Sequence, residues 1–146
     1  MTSRNRNFPF LVLFLMVTWH PVPGNGISIS ITNLHNDNGQ VLISLFKDGD
    51  GYPDEPEKAI RKGKATIAAN KAMISFAGLL PGKYAAVVLH DENNNLKMDK
   101  NWLGLPTEGY GFSNNVMGTF GPPGFSKASV SLAGDKQTAI TIRVRY

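Results

Sequence analysis

The sequence predicts an all-β domain: one antiparallel, seven-stranded Greek-key β-sandwich with one long ordered loop and at most one short helix. Three observations carry this. Apolar residues recur with a period of two through most of the chain after Ile27. Clusters of Gly, Pro, Asn and Asp punctuate that alternation at roughly ten-residue spacing, as strands of a sandwich require. The only helical candidate is Glu57 to Lys62, which follows Asp54 and Pro56 and stops at Gly63, enough for one or two turns.

The first segment reads differently from the rest. Arg4 and Arg6 precede an apolar run from Phe8 to Trp19, and His20, Pro21, Pro23 and Gly24 then break any helix. A run this short falls below the roughly 20 residues that span a bilayer, so residues 1–24 read as a secretory signal peptide with cleavage near 24–26. No Cys follows the run, which excludes lipid anchoring through a thiol. The expected location is therefore exported, periplasmic or extracellular, with residues 27–146 as a single domain and no transmembrane span after cleavage.

Within the domain, Ile27, Ile29 and Ile31 alternate with Ser28, Ser30 and Thr32 in a first strand. Asn33 to Gly39 is turn chemistry and Gln40 to Lys47 a second strand, together a hairpin. Lys64–Ala68 and Ala72–Phe76 flank a turn at Asn70-Lys71. Lys83 to His90 is the most continuously apolar strand and is expected at the centre. Ala128–Leu132 and Thr138–Val144 close the set around Gly134-Asp135.

The formal charge of +4 comes from 15 basic and 11 acidic residues. Arg4 and Arg6 supply half of it, so no nucleic-acid partner is expected of the mature domain. The absence of Cys excludes disulfide staples, thiolate metal sites and a Cys nucleophile.

Asp91 to Gly124 fits none of these strands. It carries six Gly together with Trp102, Tyr110, Phe112 and Phe120, and a structureless insertion this rich in aromatics is expected to be ordered and functional. At its start, Asp91, Asn93, Asn95 and Asp99 occupy positions 1, 3, 5 and 9 of a calcium loop, with the Lys97 carbonyl at position 7 and Glu108 available to fold back. Leu96 stands where such loops have Gly, and Trp102 where they have a bidentate Glu. The same residues also suit an Asx-rich loop that satisfies its own amides, so a calcium ion and self-satisfaction are both open. A second acidic turn, Asp48 to Asp54, is a weaker calcium candidate with Tyr52 expected to pack across it. Catalytic constellations are poor. His90 beside Asp91 is the one acid–base candidate, although a His ending a strand is ordinarily structural; Ser113 lacks a nucleophile-elbow context.

Gly78-Leu79-Leu80-Pro81-Gly82-Lys83-Tyr84 is similar to the turn and strand of transthyretin-like and carboxypeptidase-regulatory-like sandwiches. With His90-Asp91-Glu92-Asn93-Asn94-Asn95, Gly104-Leu105-Pro106 and Glu108 to Asn115, the chain resembles the secreted bacterial DUF2141 family of unknown function from about Ile27 to Tyr146. The resemblance implies a transthyretin-like or immunoglobulin-like sandwich, exported and not an enzyme, in which Asp91, Asn93, Asn95, Asp99, Pro106, Glu108, Tyr110, Ser113 and Asn114 share one surface or scaffold. The expected function is a binding or structural accessory module working through Asp91 to Asn115. Its binding surface would comprise Trp102, Pro106, Tyr110, Phe112, Ser113 and Asn114, facing a protein or glycan partner at the cell envelope. The alternatives are a carbohydrate-binding module using Trp102 and Tyr110, and a transthyretin-related hydrolase or isomerase using His90.

Overall fold

A computed structural model describes residues 24–146, and the expected signal segment before Gly24 lies outside the described residues. The domain is all-β, with eight strands in two sheets. In the first sheet β1 (Gly26–Thr32) lies between β4 (Ala72–Ala77) and β8 (Gln137–Arg143). In the second, β3 (Arg61–Ala65), β2 (Gln40–Lys47), β5 (Gly82–Asp91) and β6 (Tyr110–Phe112) follow in that order, and β7 (Val130–Leu132) also pairs with β5.

Several sequence expectations are corrected here. The strands number eight, not seven, because Tyr110–Phe112 pairs with Val87–Leu89. The arrangement is not wholly antiparallel, since β1 and β8 run parallel from Gly26↔Gln137 to Thr32↔Arg143. The first two strands do not form a hairpin: β1 and β2 belong to different sheets, and Asn33–Gly39 carries the chain between the layers. The turn at Gly134-Asp135 likewise joins strands of different sheets. The helix expected over Glu57–Lys62 is a single 3-10 turn at Pro56–Lys58, and Arg61 and Lys62 enter β3, where pairing with Leu45 and Ser44 outweighs their helical propensity. One short α-helix, α1 (Phe125–Ala128), takes the residue with which the sixth expected strand began.

The alternation selects what is buried. Ile27, Ile29 and Ile31 of β1 meet Val41, Ile43 and Leu45 of β2 and Tyr84, Ala86 and Val88 of β5 in one core between the sheets. Gly63 permits this at the sheet edge: a Cβ there would collide with Ile74, which reaches across from β4. Gly39 has a left-handed φ of +67° and lies so close to the Asp91 carbonyl that no side chain fits. That contact seats the interlayer crossing against the end of β5.

The outward residues of the second sheet are also apolar. Ala85, Phe112 and Ala128 form a smaller cluster with Tyr52, Val87, Tyr110, Val116 and Phe125 around them. Tyr52 sits edge-on to Phe46, Phe112 and Phe125, with ring centroids 5.6, 6.3 and 5.7 Å away. One end of the outer face is thereby closed. Among the described residues no helix is long and apolar enough to cross a membrane.

Candidate functional site

β5 carries the chain into the long loop, and two buried carboxylates fix the loop's course. Asp91, fully buried, ends β5 opposite Gln40. Its Oδ1 accepts from the Asn95 amide at 3.0 Å, and its Oδ2 from the Leu96 amide at 3.1 Å and Gln40 Nε2 at 3.0 Å. Glu108, also buried, returns at the loop's far end: Oε1 accepts from the Glu92 amide at 3.0 Å and Oε2 from the Asp99 amide at 3.1 Å. The Thr107 amide donates to the Asp99 carbonyl, and the His90 amide to that of Gly109, closing the loop's base.

The remaining oxygens of the expected calcium loop are engaged in the same way. Asn93 and Asn95 donate their side-chain amides to Asp99 Oδ2 and Oδ1, at 2.5 and 2.8 Å. Their own Oδ1 atoms accept from the Asn95 and Lys97 amides. Leu96 adopts a left-handed φ of +67° at the position where a calcium loop turns on Gly, so the backbone follows that course despite the Cβ. Every carboxylate oxygen of Asp91, Asp99 and Glu108 has an N–H partner. Among the described residues no group of three or more His, Asp or Glu side chains is placed to hold a metal ion. In the second acidic turn, Lys58 Nζ lies 3.6 Å from Asp50 and 3.0 Å from Glu55.

His90 is fully buried and engaged at both ring nitrogens. Nε2 lies 2.9 Å from the Asn38 carbonyl, which only accepts, so that nitrogen carries a proton. Nδ1 faces the Tyr146 hydroxyl at 2.5 Å, and that oxygen also accepts from the His35 amide. The Tyr146 ring stacks on His35 at 3.3 Å between centroids. Burial raises the Tyr146 hydroxyl above its ordinary value.

The expected binding surface separates into two groups. Phe112 and Ser113 are buried, because β6 and the turn after it pack down onto β5. The β5 edge facing them is shared by β6, at Val87–Leu89, and β7, at Gly82–Tyr84. In the gap between, Ser113 Oγ accepts from the Ala86 amide and donates to the Ala128 carbonyl, stitching β5 to α1. Asn114 donates to the Lys127 and Ser129 carbonyls. These residues serve the scaffold.

Trp102 and Pro106 are exposed, as is the hydrogen-bonded Asn114, and Tyr110 is half-buried. Pro106 and Tyr110 line an open groove of about 710 Å³ over the outer face of β2 and β5. Leu42, Val87, Leu89 and Tyr110 line it from the sheet, Leu96, Met98 and Leu105 from the loop before β6, and Met117 and Pro122 from the segment after it. Sequence reasoning missed the sheet's part of this lining, although Leu42 between Val41 and Ile43, and Leu89 beside Val88, already marked strands apolar on both faces.

A model of bacterial proteins described as uncharacterized and conserved, DUF2141, matches residues 29–141. The chain belongs to this family. The match extends from within β1 almost to the end of β8, so the DUF2141 region takes in both sheets, the carboxylate-braced loop and the groove. No curated protein and no solved structure matches the chain.

Proposed function

We propose that this DUF2141 protein is an exported, non-enzymatic binding module, of transthyretin-like two-layer build, that holds an apolar ligand in the groove above β2 and β5. The groove is the observation that carries the reading. Its volume suits a small ligand, and apolar side chains dominate its lining, with Ser44, Asp54 and Lys100 among its few polar members. Export is supported by Arg4, Arg6 and the apolar run after them. The non-enzymatic reading is supported by His90 and Ser113, the two candidates for acid–base or nucleophilic work: both are buried with their polar atoms already partnered. The test is saturable binding of anilinonaphthalene sulfonate to the folded protein, lost in Leu89→Glu while the melting temperature holds. Absence of binding, or binding that Leu89→Glu leaves intact, overturns it.

A weakly held calcium ion in the Asp91 loop is a second reading, favoured by the left-handed turn at Leu96. The ion would take the place of the Asn93 and Asn95 amide groups at Asp99 and draw on the Asp91 carboxylate and the Lys97 carbonyl. A rise in melting temperature at millimolar calcium, abolished in Asp99→Ala, supports it, and an unchanged melting temperature overturns it.

A further inference from the structure

Two turns beside the groove present large apolar side chains to water. Trp102 is 90% exposed and Phe120 fully so, with Leu103 and Leu105 at 60% and 57% beside the indole. The exposure of Trp102 is built in. Asn101 Oδ1 accepts from the Leu103 and Leu105 amides at 2.9 and 3.1 Å, and the Asn101 backbone exchanges bonds with Gly104 and Leu105. These contacts close a tight turn with Trp102 and Leu103 at its apex. In the second turn Gly118 lies so close to the Gly121 carbonyl that a Cβ would collide, leaving Phe120 at that apex. Residues beside both tips, Lys100, Gly104 and Leu105 at the first and Thr119 and Gly121 at the second, line the same groove, so the two tips belong to one rim.

The charge beside the first tip is net positive, and the second tip carries none. Residues 93–107 contain Lys97, Asp99 and Lys100, and residues 116–124 contain no charged side chain. Asp99 keeps its charge but is half-buried and accepts from the Asn93 and Asn95 side-chain amides, whereas Lys97 and Lys100 are exposed. One acidic residue, Asp54, lines the groove, from the segment after β2 along with Pro53 and Pro56. A sugar-binding ring is ordinarily flanked by hydrogen-bonding side chains, but the immediate neighbours of Trp102 on its C-terminal side are Leu103, Gly104 and Leu105. Braced aromatic and Leu side chains on protruding turns, flanked by Lys, match the interfacial layer of a bilayer, where Trp is favoured and cations meet anionic headgroups.

We infer that this rim docks on an anionic lipid bilayer, with Trp102, Leu103 and Phe120 entering the interfacial layer and Lys97 and Lys100 contacting the headgroups. The inference goes beyond the groove ligand and does not depend on it. The test uses the full chain carrying Trp19→Phe, so that Trp102 is its only indole. Vesicles of phosphatidylethanolamine with phosphatidylglycerol should shift Trp102 emission to the blue, and brominated lipids should quench it. Phe120→Ser, or Lys97→Glu with Lys100→Glu, should weaken the Trp102 signal about tenfold while leaving the melting temperature unchanged. Four results overturn the inference: Trp102 emission unmoved while the protein co-sediments through its N-terminal apolar run; equal quenching on pure phosphatidylcholine vesicles; no effect of these substitutions; or a Trp102 response to soluble glycans alone. Loss of dye binding in Leu89→Glu with vesicle docking retained separates this inference from the groove reading.

Discussion

The two faces of the β2–β5 sheet are both apolar, but they are finished differently. On the inner face Val41, Ile43, Leu45, Ala86 and Val88 meet a second sheet along their whole length and none is more than 1% exposed. On the outer face the same strands present Leu42, Ala85, Val87 and Leu89. Only the end under Tyr52, Phe112, Phe125 and α1 is sealed, while the Leu42–Leu89 end lies open beneath two loops. The inner face is closed by strands that the backbone ladder holds in register. The outer face depends on loops, one held by the Asp91 and Glu108 carboxylates and the other by the Ser113 hydroxyl and the Asn114 amide. A surface covered this way can be complete at one end and vacant at the other.

Four substitutions separate these roles, in decreasing order of effect. Leu45→Ala, on the closed inner face, should cost about 4 kcal/mol in a denaturant titration, the usual range for a fully buried Leu. Asp91→Ala should cost about 3 kcal/mol, because it leaves the Asn95 and Leu96 amides without their acceptor; hydrogen exchange should rise at those amides and stay unchanged in β1. Tyr52→Phe should stabilise by about 1 kcal/mol, since its hydroxyl is shut away from solvent with no hydrogen-bond partner although the residue as a whole is half-buried. Leu89→Ala, over the open groove, should cost under about 1 kcal/mol and still weaken dye binding, the reverse of the pattern for Leu45.

Tyr52 also sets an alkaline limit. Burial, followed by the nearby Asp54 charge, raises its phenol from 10.0 to about 12. The raised value means that the folded state holds this proton more tightly. The contribution is therefore complete below pH 10.0, declines as the unfolded phenol ionises, and is gone once pH passes about 12. Tyr52→Phe should flatten that part of the stability profile.

Strand identity was legible wherever alternation was clean. Ile27–Thr32, Gln40–Lys47 and Lys83–His90 were placed within a residue or two because each alternates, or is apolar throughout, over at least six positions. β3 was misplaced because Arg-Lys-Gly-Lys shows no apolar period, and its pairing is dictated by β2. β6 has three residues, too few to show a period. Layer assignment was not legible, since a turn between sheets and a hairpin turn use the same Gly and Asn chemistry. In the loop, the oxygen spacing from Asp91 to Asp99 was readable. The fold-back of Glu108 and self-satisfaction of the loop's amides were readable too, but which donor each oxygen takes was not, because nothing in the spacing pairs Asp91 with the Asn95 and Leu96 amides or Glu108 with those of Glu92 and Asp99. The groove escaped notice for a related reason: its lining comes from strands and loops widely separated in sequence.

The parallel pairing of β1 with β8 has a consequence for the order of events in folding. β1 is the middle strand of its sheet, and the partner on one side is the last strand of the domain. Until Gln137–Arg143 has emerged, β1 can pair with β4 alone, and the core shared with the second sheet lacks Ile142. The domain therefore cannot complete itself progressively from its N-terminus. It must wait, partly collapsed and with one flank of β1 unsatisfied, for its final strand, and such long-range closure places it among slow-folding topologies.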